Sequence, residues 1–186
     1  MIHGAPASGK LAVAMEVAKI VSGRIFDNHS AIDIARTIFE FGAPGFWSLV
    51  HSIRLIVLDS AFKHSVPIVV MTYCYSGSSD GNELNQFEEI VHRNGGIILP
   101  VFLSCSEREL IRRIDNADRV MRGKISTVEE LHRFLREFEI SAIPRDGCLH
   151  LDAEANSARV NAFEICRHFQ LIGTNEIKGS SEQGYF

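Results

Sequence analysis

The sequence predicts an α/β fold, in which helices cover both faces of a five-stranded parallel sheet. Two observations carry this prediction: short runs rich in β-branched residues alternate with longer segments of helical periodicity, and no internal repeat or linker divides the 186 residues. Parallel strands need crossover connections, usually helices, and this alternation supplies them. The length is close to that of one globular domain, and a hydrophobic fraction of 46% excludes a fibrous or wholly disordered chain.

Five segments have the composition of strands. The third, VPIVVMTYCY, is a nearly uninterrupted apolar run, which is typical of a strand covered by helices on both faces. Only three residues precede Gly4, whereas strands commonly have about five, so either the first strand is short or the true start of the protein lies upstream of Met1. The predicted strands are residues 1–3, 24–27, 66–75, 97–103 and 148–152.

Seven segments carry apolar residues at the spacing of a helix, most clearly 46–64. Two helix starts are predicted from the capping-box pattern, in which a Ser or Thr precedes a Glu by three residues. One such pair is Ser104 with Glu107, and the other is Thr127 with Glu130. The predicted helices are residues 10–21, 31–41, 46–64, 82–93, 104–114, 128–138 and 156–169.

Composition also limits the partners of the chain. No apolar run approaches the roughly 18 residues of a membrane helix, and the start lacks a signal-peptide layout, so we expect a cytoplasmic protein without a membrane partner. A net charge of −4 disfavours nucleic acid as a partner. Four widely spaced cysteines predict neither a disulfide nor a metal site. We expect residues 1–172 to form the domain and 173–186 a polar tail.

The strongest functional signal is a glycine-rich loop between the first predicted strand and the first predicted helix. Its sequence, GAPASGK, fits the phosphate-binding pattern G-x-x-x-x-G-K in the strand–loop–helix context that the pattern requires. Glycines let backbone N–H groups turn inward around a phosphate, the helix start adds its positive dipole end, and the lysine reaches the outer phosphates. The predicted nucleotide-binding residues are Gly4, Ala5, Pro6, Ala7, Ser8, Gly9, Lys10 and Leu11, with Lys10 also catalytic.

One residue of this loop departs from the usual pattern. The lysine is ordinarily followed by Ser or Thr, whose hydroxyl binds Mg²⁺, but here Leu11 follows it. A leucine cannot coordinate a hard cation, so Mg²⁺ would have to be held by another group or through water, or would not be held productively. The third predicted strand also lacks the terminal Asp of a Walker B motif, so a second usual ligand of the same metal ion is missing.

The loop and the order of elements resemble the nucleoside-monophosphate-kinase-like branch of P-loop NTPases, which includes shikimate kinase, gluconate kinase and chloramphenicol phosphotransferase. The start GAPASGKL is more closely similar to a set of bacterial AAA-type ATPase or kinase-like proteins. The resemblance covers residues 2–169, and its specific part is the P-loop. It implies ATP and Mg²⁺ as cofactors, phosphoryl transfer to a small-molecule hydroxyl, and a small lid at about residues 112–127.

In such kinases the second strand and the loop after it bring acidic residues to the acceptor and the metal. Here Asp27 stands at the end of the second predicted strand, and Asp33 follows within the next helix. The resemblance implies that one of them orients or deprotonates the acceptor hydroxyl and contacts the metal. The alternative is structural: Asp27 and Asn28 make a turn and Ser30 caps the helix. His29 in the same loop needs no functional explanation.

The lid of the resembled family carries arginines that close over the triphosphate. Five basic residues crowd into residues 112–124, and arginine suits this task because its planar, permanently charged group binds phosphate bidentately. We predict the lid role for Arg119 and Arg122. For Arg112 and Arg113, a lid role and pairing with nearby acids on an exposed helix end are equally consistent with the sequence.

The acceptor side of the site offers weaker signals. His51 and Arg54 lie one turn apart on a predicted helix and could contact an acidic acceptor. An aromatic cluster beside them is either core packing or an apolar wall of the acceptor pocket. The cluster comprises Phe39, Phe41, Phe46 and Trp47.

These observations lead to one principal hypothesis and two rivals. The principal hypothesis is an ATP-dependent small-molecule kinase that binds a nucleotide and an acceptor whose identity the sequence does not specify. The first rival is a non-catalytic nucleotide sensor or pseudokinase, in which Leu11 and the missing Walker B Asp abolish turnover. The second, a kinase acting on nucleic-acid ends, is disfavoured by the net charge of −4.

Overall fold

The computed structural model describes residues 1–115, 117–121 and 123–172, and a five-stranded sheet forms its centre. Each pair of neighbouring strands is parallel, and the strand order is β2-β3-β1-β4-β5. The predicted α/β class with five parallel strands is therefore confirmed. The strands are β1 (Ile2–His3), β2 (Arg24–Phe26), β3 (Val69–Tyr73), β4 (Val101–Ser104) and β5 (Leu149–Asp152).

Helices connect these strands. Within the described residues, no helix combines the length and the hydrophobicity needed to cross a membrane. A short 3₁₀ helix at Gly77–Asp80 follows β3. The α-helices in the described ranges are α1 (Lys10–Ile20), α2 (Asn28–Arg36), α3 (Phe46–Lys63), α4 (Gly81–Arg93), α5 (Glu107–Ile114), α6 (Ala117–Met121), α7 (Val128–Glu137) and α8 (Ala158–His168).

Two hydrophobic cores lie on opposite faces of the sheet. The first packs under α1 and α8, and the second under α2, α3 and α4. Strand β3 contributes to both, because successive side chains of a strand point to opposite faces. Val70 lies in the α1/α8 core, whereas Met71 and Tyr73 lie in the other. This explains why the third predicted strand reads as a continuous apolar run.

The position of β1 in the sheet determines where a site can form. The chain goes from β1 to β2 and β3 on one side, and then crosses to β4 and β5 on the other. Ile2 of β1 pairs with Thr72 of β3 and with Val101 of β4. In open α/β sheets, the crevice at the carboxyl ends of the strands where the order reverses is the usual ligand site. The glycine-rich loop leaves β1 at this point.

The third and fourth predicted strands are too long. The segments 66–75 and 97–103 are strands only at Val69–Tyr73 and Val101–Ser104. Residues 69–71 of β3 pair with β2 and residues 72–73 with β1, so β3 extends only as far as its short neighbours. Apolar composition predicted a strand, but backbone hydrogen-bond partners set its length.

Two predicted helix starts also need correction. The helix predicted at 31–41 is Asn28–Arg36, because the chain enters the helix directly after Asp27 at the end of β2. The predicted cap Ser104 is instead the last residue of β4, where it pairs with Asp152 of β5. Ser106 caps α5 by accepting a hydrogen bond from the Glu109 N–H. The capping box of Thr127 and Glu130 at the start of α7 is confirmed.

Candidate functional site

The loop of residues 4–10 is a tightly constrained turn between β1 and α1. Gly4 has a φ of 149°, and a Cβ there would lie 2.5 Å from the Leu103 carbonyl oxygen, so only glycine fits. Ala7, with a φ of 66°, and Gly9, with a φ of 91°, adopt positive φ values. The Ser8 N–H donates to the Ala5 carbonyl over 3.2 Å. Alternation of right- and left-handed backbone is what turns successive N–H groups toward an anion.

The side chain of Lys10 folds back across this loop. Its ammonium donates to the carbonyl oxygens of Gly4, at 2.8 Å, and Ala5, at 2.6 Å. Within the described part of the chain, no carboxylate lies within ion-pair distance of it. Burial lowers the pKa of Lys10, and the nearby charges of Arg119 and Lys124 lower it further, although Cys74 and Asp27 act in the opposite direction. Lys10 is therefore a poorly compensated cation beside the loop.

Two other loop residues bear on what the loop can bind. The Ser8 side chain is completely buried, and its hydroxyl has no hydrogen-bond partner among the described residues. Leu11, which replaces the usual Ser or Thr, is half-buried at the start of α1. The loop thus holds an ammonium and a buried hydroxyl without a partner among the described residues, but no side-chain oxygen at the position after Lys10.

Asp27 lies at the carboxyl end of β2, close enough to Lys10 for its charge to affect the lysine pKa. Its Oδ1 accepts a hydrogen bond from the Thr72 hydroxyl at 2.6 Å, and its Oδ2 lies 3.3 Å from the Lys124 ammonium. Burial raises the pKa of Asp27, but the Thr72 hydrogen bond and the charges of Lys124 and His29 outweigh it, so the pKa lies below its usual value. The carboxylate is ionised at neutral pH.

The other candidates on α2 occupy different surroundings. Burial and the charge of Lys124 lower the pKa of His29 to about 4, against an opposing effect of Asp27, so the ring is neutral at pH 7. The ring Nδ1 is buried and has no hydrogen-bond partner among the described residues. Asp33 lies on the exposed face of α2. The structure thus brings Asp27 to Lys10 and leaves Asp33 on the surface, where its role stays a prediction.

Three contacts position the basic segment: one lies within it, one joins it to α2 and one reaches Asp27. The Arg119 Nε donates to the Ile125 carbonyl at 2.9 Å, and Lys124 pairs with Asp27. From α2, Arg36 donates to the Gly123 carbonyl at 2.9 Å. Gly123 has a φ of 56°, a left-handed conformation that favours glycine, and a Cβ there would force the Arg36 guanidinium to move. Burial lowers the pKa of Arg119.

The other arginines of the basic segment have different surroundings. Arg122 lies outside the described residues. Arg112 is exposed and pairs with Glu109, as expected for a surface helix end. Arg113 is more buried: it also contacts Glu109, donates to the Ala153 carbonyl at 2.8 Å, and lies 3.7 Å from where a Cβ on Gly9 would stand. Arg113 therefore joins α5 to the loop after β5 and lies beside the glycine-rich loop.

The suggestion that Arg54 faces an acidic acceptor is wrong. Its side chain is buried, and its two terminal nitrogens donate to Glu83, at 3.0 Å, and to the Asn28 side chain, at 2.7 Å. Tyr73 donates to the same Glu83 oxygen at 2.9 Å, and His51 lies 3.4 Å from it. Because α4 supplies a carboxylate to the buried arginine, Arg54 braces the start of α2 instead of binding an anion.

The structure divides the aromatic cluster into buried and exposed rings. Phe46 is fully buried in the core and Phe39 packs against it, whereas Phe41 and Trp47 are 59% and 48% exposed. The rings of Phe41 and Trp47 meet Phe46 edge to face. The guanidinium of Arg36 lies over the ring of Phe41, 5.0 Å from its centre. The packing role is confirmed for Phe46, and the pocket role of the exposed rings stays a prediction.

Three residues of the site were missed or passed over by sequence reasoning. Nothing in the sequence distinguishes Lys124 from the other basic residues of its segment, and no pattern singles out Arg36. Thr72 is recognisable in the sequence only as a polar residue inside the apolar run VPIVVMTYCY. Each of these side chains acts on a residue more than forty positions away along the chain.

Comparison with known proteins gives a result at the level of the fold. No protein-family model matches the sequence, and no curated protein matches it. A sugar kinase from Janibacter sp. HTCC2649 matches with a TM-score of 0.63 and 14% identity, over 91% of this chain and 92% of that one. The tunicamycin resistance protein of Deinococcus radiodurans matches with a TM-score of 0.62 and 15% identity, over 92% of this chain and 95% of that one.

A gluconokinase from Sinorhizobium meliloti 1021 matches with a TM-score of 0.59 and 16% identity, over 96% of this chain and 95% of that one. At such identities a similar structure shows the fold and no more. The chain therefore has the P-loop kinase-like fold, and the resemblance noted from the sequence is confirmed at that level.

Proposed function

Because the chain has the fold of the P-loop kinases, we propose that it transfers a phosphoryl group from ATP to a hydroxyl of a small molecule. One observation carries the proposal: a poorly compensated lysine in a glycine-rich loop and an ionised aspartate lie together at the carboxyl edge of the sheet. Phosphoryl transfer to an alcohol needs these two parts side by side, a phosphate cradle and a group that orients the acceptor.

The phosphates bind to residues 4–10 and the first turn of α1. Backbone N–H groups and the positive end of the helix dipole contact the phosphate oxygens. Lys10 exchanges the two carbonyls that it now contacts for a phosphate oxygen, which is a stronger, charge-assisted partner. Residues 112–127 act as a lid, in which Arg119, together with Arg122 as the sequence predicts, stabilises the charge that develops on the transferred group.

The acceptor hydroxyl binds at Asp27, which takes this role in preference to the exposed Asp33. The carboxylate accepts a hydrogen bond from the hydroxyl and directs its oxygen toward the γ-phosphorus. The new bond between that oxygen and phosphorus forms as the bond from phosphorus to the bridging oxygen of ADP breaks. The hydroxyl proton passes to Asp27 late, because a loose transition state places little charge on the attacking oxygen and a weak base suffices.

A second function, nucleotide sensing without turnover, has one observation in its favour. Leu11 removes the hydroxyl that usually follows the lysine, and Lys124 already occupies the Asp27 carboxylate. A site of this kind would retain its phosphate cradle and lose catalysis. Both functions require nucleotide binding, but only the kinase releases ADP.

Calorimetric titration with ATP tests the shared part, using wild type, Lys10→Ala and the matched surface variant Lys63→Ala. We expect ATP to bind wild type and Lys63→Ala alike and to lose its affinity for Lys10→Ala. Lys63 is a suitable control because it is an exposed lysine at the end of α3 that pairs only with Asp59 among the described residues. Failure of ATP and GTP to bind wild type would contradict both functions.

ADP release in the presence of a panel of alcohols separates the two functions. The kinase requires ADP release that depends on an added acceptor and yields the phosphorylated alcohol. Binding of ATP with no ADP release against sugars, polyols, nucleosides and drug-like alcohols would favour the sensor.

A further inference from the structure

The two positions that usually supply a side-chain oxygen to Mg²⁺ in P-loop NTPases carry no oxygen here. Magnesium in kinases needs oxygen ligands in near-ideal octahedral geometry, usually from a hydroxyl or carboxylate of the protein together with the phosphates. The residue after Lys10 is Leu11, and Cys74, not an aspartate, follows the last residue of β3. Among the residues that the structure describes, no group of three or more His, Cys, Asp or Glu side chains could hold a metal ion.

The carboxylate that remains, Asp27, already has a partner at each oxygen. Thr72 donates to Oδ1 at 2.6 Å, and the Lys124 ammonium lies 3.3 Å from Oδ2. The side chains of Lys124 and Asp27 are only 13% and 15% exposed, so water screens this pair weakly. A divalent cation at Asp27 would have to displace the ammonium or lie beside it, against the repulsion of like charges. Lys124 therefore stands where such a cation would be.

The charges around Lys10 point to an anion that arrives without its own cation. Arg119 and Lys124 are both close enough to lower the pKa of Lys10, and Asp27 opposes them as a single carboxylate. Neither Lys10 nor Arg119 has a carboxylate partner among the described residues. The site thus carries a surplus of positive charge before any ligand binds, which complements a free triphosphate better than a magnesium complex of the same triphosphate.

We propose that this site binds its nucleoside triphosphate as the metal-free anion, and that Lys124 is a phosphate ligand that takes the place of the divalent cation. The inference rests on the proposed nucleotide site. The Lys124 side chain moves from Asp27 to the phosphates, while its backbone stays anchored because Arg36 holds the preceding Gly123 carbonyl at 2.9 Å. This movement also frees one oxygen of Asp27 for the acceptor hydroxyl.

Calorimetry in EDTA and in excess MgCl₂ tests the inference, with ATP and AMP as probes. We expect wild type to bind ATP at least as tightly in EDTA as with Mg²⁺. Lys124→Met should weaken ATP binding in EDTA by about tenfold to a hundredfold, the effect of losing a charge-assisted hydrogen bond, and Lys124→Arg should retain it. The control Lys63→Met should bind as wild type does.

AMP distinguishes a phosphate ligand from a residue that only maintains the fold. AMP lacks the β- and γ-phosphates, so Lys124→Met should weaken AMP binding much less than ATP binding; equal loss for both would overturn the inference. ATP binding that tightens about tenfold when Mg²⁺ is added would also overturn it, and would leave the proposed kinase intact. Failure of ATP to bind in both conditions would contradict the proposed nucleotide site itself.

Discussion

Two charged side chains, Lys10 and Asp27, belong to segments that are separate in the sequence and meet at the edge of the sheet. Their states differ: burial and nearby cations lower the pKa of Lys10, whereas a hydrogen bond and a lysine keep Asp27 ionised. The pairing of Asp27 with Lys124 explains how a partly buried carboxylate stays charged. At this scale, the proposed chemistry depends on the charge of single residues.

Asp27→Asn tests the role of the carboxylate directly. The amide keeps the shape and the Thr72 contact but cannot take a proton, so we expect the rate of ADP formation with an acceptor to fall by about 100- to 10,000-fold. ATP affinity should not fall, because a negative charge near the phosphates is removed. The measurement is a steady-state assay paired with calorimetry, and Asp59→Asn on the far end of α3 is the matched control. If Asp33→Asn lost activity and Asp27→Asn did not, the assignment would be wrong.

His29 makes the stability of the protein depend on pH. Its pKa in the fold is about 4, against 6.5 ordinarily, so between these values the unfolded chain binds the proton and the folded protein does not. The free energy of unfolding of the wild type therefore falls as the pH drops from 6.5 to 4. We expect the free energy of unfolding of His29→Gln to fall by about 2 kcal/mol less than that of the wild type over this range. Urea unfolding at several pH values measures this.

The exposed His92 on α4 provides the control for that experiment. His92→Gln should show the same pH profile of unfolding as wild type, because the side chain is exposed and its replacement removes no buried group. Parallel curves for wild type and His29→Gln would contradict the buried, neutral state of His29.

Helices α2, α3 and α4 are joined at one buried point. Arg54 on α3 links Glu83 on α4 with Asn28 at the start of α2, and its guanidinium lies over the ring of Tyr73, 5.1 Å from the centre. Asn28 follows Asp27, so the position of the proposed acceptor-binding carboxylate depends on packing between elements. The proposed lid segment depends on α2 in the same way, through the contact of Arg36 with Gly123.

Arg54→Met should lower the free energy of unfolding by about 2–4 kcal/mol, because it leaves Glu83 partly buried without its cation. Adding Glu83→Gln should recover part of that loss, since removing both charges is less costly than removing one. Urea denaturation of the two single variants and the double variant provides the cycle. Arg108→Met, at an arginine 89% exposed on α5, should change the stability little. Additive effects of Arg54→Met and Glu83→Gln would contradict the pairing.

The whole molecule has a net negative charge, yet the carboxyl edge of its sheet gathers cations. Sheet order produces this edge, because β1 lies between β3 and β4 and delivers the glycine-rich loop to the centre. The two cores on either face are joined through β3, which contributes side chains to both. A ligand that binds at this edge therefore contacts the ends of the strands on which both cores pack.

Binding of ATP should stabilise the molecule as a whole. At about a hundred times its Kd, a ligand that binds only the folded state adds about 2.7 kcal/mol, which should raise the Tm by about 5–10 °C in a domain of this size. Differential scanning fluorimetry with ATP measures the shift, and Lys10→Ala should abolish it. A shift of equal size in Lys10→Ala would mean that ATP stabilises the protein from another site.

The sequence by itself determined the features that are built from adjacent residues. The glycine-rich loop and Lys10 occupy one short segment, so the sequence pattern alone predicts the backbone conformation of the loop. The cap of Thr127 and Glu130 was predicted for the same reason, and the alternation of strands and helices was enough to predict a parallel sheet. Asp27 could be proposed as a site residue from the sequence because the end of a strand is a recognisable place for a functional residue.

Only the tertiary structure decided which side chains meet. Lys124 and Asp27 are 97 positions apart, and Arg54 and Glu83 are 29 apart, so nothing local shows that either pair forms. The ends of β3 and the cap at Ser106 in place of Ser104 also depended on strand partners that the sequence does not display. Local patterns determine backbone conformation, but the partners of a charged side chain are set by the order in which distant strands lie in the sheet.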